Sequence, residues 1–247
     1  MRKIFLLFIC SAAILISCDS NTPDPRSIMM ETMKAHGTDL AVQGKLDFTF
    51  RGIDYSVKRE GGNYNYERHL TIGEDAILDR LNNSGFYRYS NDAKINLPDS
   101  LSQRYSASLN SVIYFAQLPY SLDGDAINLK YIGQDSIKGK AYHEIEVTFN
   151  EEGGGEDHED VFVYWINQQD HLIDYLAYSY CEEECGYRFR ESVNRRNKNG
   201  VIIQDYNNYK STKIDPELFN MDDLFEKDQL ELLSKIELER ASFKANK

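Results

Sequence analysis

Three stretches of the chain hold the residue types that could do chemistry. The first is residues 150–160, NEEGGGEDHED, where Glu151, Glu152, Glu156, Asp157, Glu159 and Asp160 surround three glycines and His158. Carboxylates on a glycine loop suit calcium, a hard cation that takes oxygen ligands. Asp157, His158 and Asp160 offer instead the mixed nitrogen and oxygen donors of a transition-metal site. The spacing fits neither an EF-hand loop nor an HExxH helix, and a solvated loop between strands uses the same residues. The second stretch is Cys181 and Cys185 around three glutamates. It is not a CxxC, and neighbouring carboxylates raise a thiol pKa rather than lower it, so a disulfide is expected here before a redox site. The third is a basic patch, Arg188, Arg190, Arg195 and Arg196. Arg188 and Arg190 share one strand face, opposite Tyr187 and Phe189. They are expected to pair across strands with acids such as Asp205. The alternative is contact with an anionic headgroup. A GxSxG elbow and a phosphate-cradling glycine loop are both lacking, and His36, His69, His143, His158 and His171 are scattered. Catalysis is therefore not the expectation.

The N-terminus reads as an address. Arg2-Lys3 precedes an apolar run from Ile4 to Ile16, which is short for a membrane span and suits a secretory signal. Its ending, Leu15-Ile16-Ser17-Cys18, resembles the bacterial lipobox. That resemblance implies cleavage after residue 17 and acylation of Cys18 with palmitate-type chains. Residues 18–26 form the acylated cysteine and a polar tether. The expected location is the cell envelope, anchored by acyl chains to the outer membrane and facing the periplasm or the surface.

Length and composition bound the rest. The chain has 247 residues and a formal net charge of −12, so phosphate backbones are repelled and nucleic acid is an unsuitable partner. Seventeen tyrosines and twelve phenylalanines with only five prolines fit a large antiparallel sheet. Residues 27–247 are expected to form one antiparallel-sheet domain.

Strand and helix patterns alternate in a definite order. A helix is predicted from Asp24-Pro25 to Gly37. Short strands and turns follow from Leu46 to Tyr89, with Glu60-Gly61-Gly62-Asn63 a strong turn. Leu101, Tyr105, Leu109, Val112 or Ile113, and Ala116 mark one face of a helix between Pro98 and Pro119. Strands resume at 127–132 and 141–149. Val161–Ile166 is apolar on both faces, which places it centrally in a sheet with something covering each side; the long helix is the expected cover. Residues 187–193 and 201–209 pair around a turn, and the tail after Pro216 is read as a bulged final strand.

The runs LPYSLDGDAINLKYIG, GGGEDHEDVFVYWI, AYSY and GYRFRESVNRRNKNGVIIQDYNNYK resemble an uncharacterised lipoprotein family of Bacteroidota, some members of which carry a deoxyribose-phosphate aldolase label. The aldolase label has no support here, since that class is a parallel α/β barrel and this chain lacks the strand–helix repeat. At fold level the pattern is similar to LolA/LolB-type lipoprotein carriers. That likeness implies a mainly β, α+β chain with a curved antiparallel half-barrel sheet and covering helices. The functional expectation is binding of a lipid or acyl chain on the concave face, with Leu109, Val112, Phe115, Val163, Trp165 and Tyr175 as lining. The alternatives are a metal-binding envelope protein or metal-dependent hydrolase built on residues 150–160, and an interaction protein with no small ligand.

Overall fold

The computed structural model describes residues 22–153, 159–181, 185–212 and 217–246. Signal residues 1–17, Cys18, and the loop residues Asp157 and His158 lie outside these.

The chain opens with α1, Pro25–His36. Asp24 caps it through its side chain, which accepts from the backbone N–H groups of Arg26 and Ser27. Gly37 ends it in the left-handed region at φ 75°. A Cβ on Gly37 would also overlap the Gly200 carbonyl oxygen, so the position needs glycine twice over. A short turn of helix, α2 (Thr38–Ala41), leads into the first strand.

Seven strands form the first sheet. Six of them are a meander: β1 (Gly44–Phe50), β2 (Ile53–Glu60), β3 (Asn63–Ile72), β4 (Asp75–Asn82), β5 (Gly85–Ser90) and β6 (Ala93–Ile95). Then α3, Asp99–Ala116, crosses to the second sheet. That sheet contains β7 (Ile127–Ile137), β8 (Lys140–Phe149), β9 (Phe162–Asn167), β10 (Ile173–Cys181), β11 (Cys185–Lys198) and β12 (Val201–Ser211). A 3₁₀ turn at Leu218–Asn220 and α4 (Met221–Glu226) follow, and β13 (Leu230–Ile236) completes it. The last strand, β14 (Glu239–Ala245), returns to pair antiparallel with β1. The orders are β14-β1-β2-β3-β4-β5-β6 and β13-β12-β11-β10-β9-β8-β7. Every pairing is antiparallel.

The architecture is thus mainly β, with two antiparallel sheets that do not close into a barrel and a few covering helices. The expected single curved sheet is divided, and the division falls between β13 and β14. The tail expected to be one bulged strand is instead α4 and two strands, one for each sheet. Its leucines served both patterns because the segment contains a helix and strands in turn.

β9 is buried along its whole length, as its doubly apolar pattern requires. Phe162, Tyr164 and Ile166 pack on the face that carries Ile28 and Met29 of α1. Val163 and Trp165 pack on the opposite face, under Leu218, Met221, Leu224 and Phe225. The covers differ from those expected. α1 contacts β7 and β12, so it crosses the inner face of the second sheet, and α4 closes the outer face. α3 lies mainly on β3, β4 and β5 of the first sheet. Its C-terminal half also reaches the second, where the Tyr114 and Tyr164 hydroxyls are 3.1 Å apart. Burial pushes both phenols above their ordinary range. Cys181 and Cys185 face each other at the end of the β10–β11 register and are disulfide-bonded.

Candidate functional site

A cavity of about 220 Å³ lies where the last turns of α3 meet the β1–β2 turn and the inner face of β11, β12 and β13. α3 contributes Ser111, Val112, Phe115 and Ala116; the first sheet contributes Phe50 and Arg51. β11 and β12 supply Arg190, Tyr206 and Asn208, and the final segment supplies Ser234, Ile236 and Leu238. The walls are therefore apolar and aromatic with a few polar groups, the usual make-up of a ligand site. Neither a histidine nor a carboxylate is among the lining residues.

Strand alternation decides what each residue faces. On β11, Phe189 enters the outer cluster with Trp165 and Phe225, so Arg190 must point inward. Its guanidinium lies 3.7 Å from the Phe115 ring centroid, a cation–π contact. Its Nη2 donates to the Tyr178 hydroxyl at 2.8 Å. Nε and Nη1 are buried and have no hydrogen-bond partner among the described residues. Asn208 is the cross-strand partner of Arg190 in the β11–β12 register. Its Nδ2 donates to Ser234 Oγ at 3.2 Å, while its Oδ1 accepts from nothing. Burial raises the pKa of Tyr206, whose hydroxyl accepts from Gln204 Nε2 at 2.7 Å.

The expected lining residues divide. Val112 and Phe115 line the cavity. Leu109 is fully buried in the core between α3 and the first sheet, without facing it. Val163, Trp165 and Tyr175 are corrected: they sit on the outer face, packed under α4. Alternation separates the two faces of β9 and β10 but does not say which one looks toward the other sheet. The basic patch divides too. Arg195 pairs with Asp174 at 2.6 Å and Arg196 with Asp205 at 2.7 Å. Arg188 stacks over Tyr180 at 4.6 Å. Arg190, which resembled its neighbours in sequence, is the one inside the cavity.

Asp135, Glu144 and Asp222 bring carboxylate oxygens within 4.8 Å of one another, close enough in principle to hold a metal ion. They are remote in sequence, so no local spacing marks them as a group. Of the loop's expected ligands only Asp160 is among the described residues. Asp222 is buried, and that burial, with a hydrogen bond to Asp135, raises its pKa to about 8. A shared proton therefore relieves the cluster at neutral pH. A second, more open groove of about 310 Å³ lies on the first sheet. Its charges are largely paired with each other, Lys45 with Asp47 and Arg240 with Asp54, each at 2.8 Å.

Residues 2–238 match the model of a family of unknown function, DUF6503. The chain belongs to this family. No curated protein matches it. Among solved structures it is similar to a LolA superfamily protein from Nitrosomonas europaea, at 11% identity and a TM-score of 0.48, over 89% of this chain and 91% of that one. A DUF1329 family protein from Desulfovibrio piger matches at 12% identity and a TM-score of 0.39, over 74% and 86%. The Mycobacterium tuberculosis lipoprotein LppX matches at 13% identity and a TM-score of 0.30, over 64% and 90%. Scores this low transfer no role to any residue here, so the functional case rests on the cavity. Among the described residues no helix is long and apolar enough to cross a membrane.

Proposed function

We propose that this protein is a lipid-anchored envelope protein that binds a hydrophobic ligand, an acyl chain or another lipid segment, between α3 and the second sheet. The cavity at Val112, Phe115, Tyr206 and Ile236 carries the reading, because apolar walls facing open space gain by burying apolar ligand surface. At about 220 Å³ it is smaller than the roughly 300–1,000 Å³ typical of sites that enclose a whole small molecule. It therefore takes one end of a chain, and the remainder leaves through the mouth. The lining favours binding over catalysis, since it offers no acid–base pair.

Native mass spectrometry of the purified protein, with solvent extraction, tests the reading. The expected result is a co-purifying lipid. A clean apo mass, together with no binding of an added ten-carbon amphiphile, refutes it. The anchor is tested separately: labelled fatty acid should enter the wild-type chain and be lost in Cys18→Ser. Incorporation that survives the substitution removes Cys18 as the acylation site.

A further inference from the structure

We infer that Arg190 is an anion subsite inside this cavity, and that the ligand is an amphiphile whose carboxylate or phosphate head sits on its free N–H groups. The inference rests on the ligand-binding reading above and names the ligand class. Arg190 is 7% exposed, so its charge is withdrawn from water. Buried cations ordinarily have a counter-charge, because an unpaired one loses hydration without recompense. The chain has 40 acidic residues and a net charge of −12, so carboxylates are plentiful. Neighbouring arginines obtain them: Arg195 and Arg196 pair at 2.6 and 2.7 Å. Arg68 and Arg88 share the buried Asp79. Among the described residues Arg190 has a phenol and an aromatic face instead; its side chain lines the cavity, and its buried Nε and Nη1 have no acceptor.

Arg59 is an instructive contrast. It too is buried and has no carboxylate among the ion pairs of the described residues. Both its Nη atoms, however, donate to neutral acceptors, Gln117 Oε1 at 2.5 Å and Tyr66 at 2.7 Å, and it does not line the cavity. Arg59 leaves only its Nε without a partner among the described residues, whereas Arg190, which lines the cavity, leaves two buried nitrogens. Beside it, across the β11–β12 pair, Asn208 Oδ1 lacks a donor. Unused donors and an unused acceptor on adjacent strands suit a head that is anionic and also carries a hydroxyl or an acidic proton. The guanidinium supplies charge-assisted hydrogen bonds, which are stronger than neutral ones. The carbon chain then lies along Val112, Phe115 and Ile236.

Isothermal titration of the purified protein with probes of one chain length tests this. The probes are decanoate, decyl phosphate and decan-1-ol, with inorganic phosphate alone as the fourth. Decanoate and decyl phosphate should bind at least tenfold tighter than decan-1-ol. Arg190→Met should reduce the anionic probes to the level of the alcohol, and Arg190→Lys should restore part of the difference. Equal binding of decanoate and decan-1-ol to wild type overturns the anion subsite while leaving the hydrophobic cavity standing. No binding of any ten-carbon probe overturns the cavity reading itself. Inorganic phosphate binding as tightly as decyl phosphate assigns Arg190 to a free anion and overturns the amphiphile. The wild-type comparison stands even if Arg190→Met fails to fold.

Discussion

His36→Gln should remove a pH-dependent part of the stability that His36 itself imposes. His36 is the last residue of α1 and is 2% exposed. Its Nε2 accepts the backbone N–H of Ile173 at 3.1 Å, which holds the ring neutral with its proton on Nδ1. Burial first, and the Arg195 charge second, lower its pKa to about 3, with Asp174 pulling the other way. In the unfolded chain the same ring titrates near ~6.5. As pH falls below that value the unfolded chain takes up a proton and the native one does not. Stability is therefore lost as pH falls from about 6.5 toward 3. Between pH 7 and pH 5 the loss is about 2 kcal/mol, since the unfolded ring goes from largely neutral to almost fully charged while the native ring stays neutral. Urea unfolding of wild type and variant at the two pH values measures it. The stability advantage of wild type over His36→Gln should shrink by about 2 kcal/mol from pH 7 to pH 5. An advantage that stays constant to within about 0.5 kcal/mol would mean that the native ring protonates like a free one, and the burial argument would be refuted.

Two further substitutions probe other buried charges. Asp222 carries the opposite sign: burial and its hydrogen bond with Asp135 raise its pKa to about 8, so the native chain holds a proton that the unfolded chain has released. Stability then falls as pH rises from about 4 toward 8, and Asp222→Asn should gain on wild type by on the order of 2 kcal/mol between pH 5 and pH 7 in the same urea assay. A gain of zero would show that the carboxyl ionises normally. Asp79 is fully buried and accepts from Arg68 Nε and Nη2 at 2.9 and 2.6 Å and from Arg88 Nε and Nη2 at 2.6 and 2.8 Å. Asp79→Asn strands two guanidiniums that also bolt α3 to the first sheet through Ser108 and Tyr105, and should cost about 3–5 kcal/mol. An unchanged unfolding midpoint would show that the pair of arginines needs no anion.

Local signals in the sequence were readable, and tertiary ones were not. Asp24 and Gly37 bound α1 because capping is decided within a few residues. α3 runs where its apolar face recurs, from Asp99 to Ala116. The six-residue apolar run at β9 gives a strand buried on both sides. The identity of the covers was not local. α4 and β14 come from a tail whose leucines fit two periods, and β14 reaches β1 across nearly the whole chain. The candidate site shows the same limit more sharply. Val112 and Phe115 are expected and observed as lining, but the sheet residue beside them is Tyr206 and not Trp165, because alternation does not say which face of the sheet looks inward. Arg190 could be placed on a strand face by counting. That no described acid pairs with it could not be read from the sequence, because an ion pair depends on which acid the fold brings near.

The frame around the cavity gives that lack its meaning. Asp205 holds Arg196 through both carboxylate oxygens, at 2.7 and 2.8 Å, and also accepts the Leu238 N–H at 2.9 Å. Arg196 in turn donates to the Leu238 carbonyl at 3.1 Å, and Asn199 donates to the Phe243 carbonyl at 2.7 Å. These bonds fix the link between β13 and β14, and with it the rim where the two sheets part. Every charge in that frame is answered by backbone or by an opposite charge. A few residues away, on the same pair of strands, Arg190 and Asn208 line the cavity and keep buried donors and an acceptor without partners among the described residues. A rigid rim around unsatisfied groups is what a preorganised site requires, because the protein then has little ordering left to do when ligand arrives.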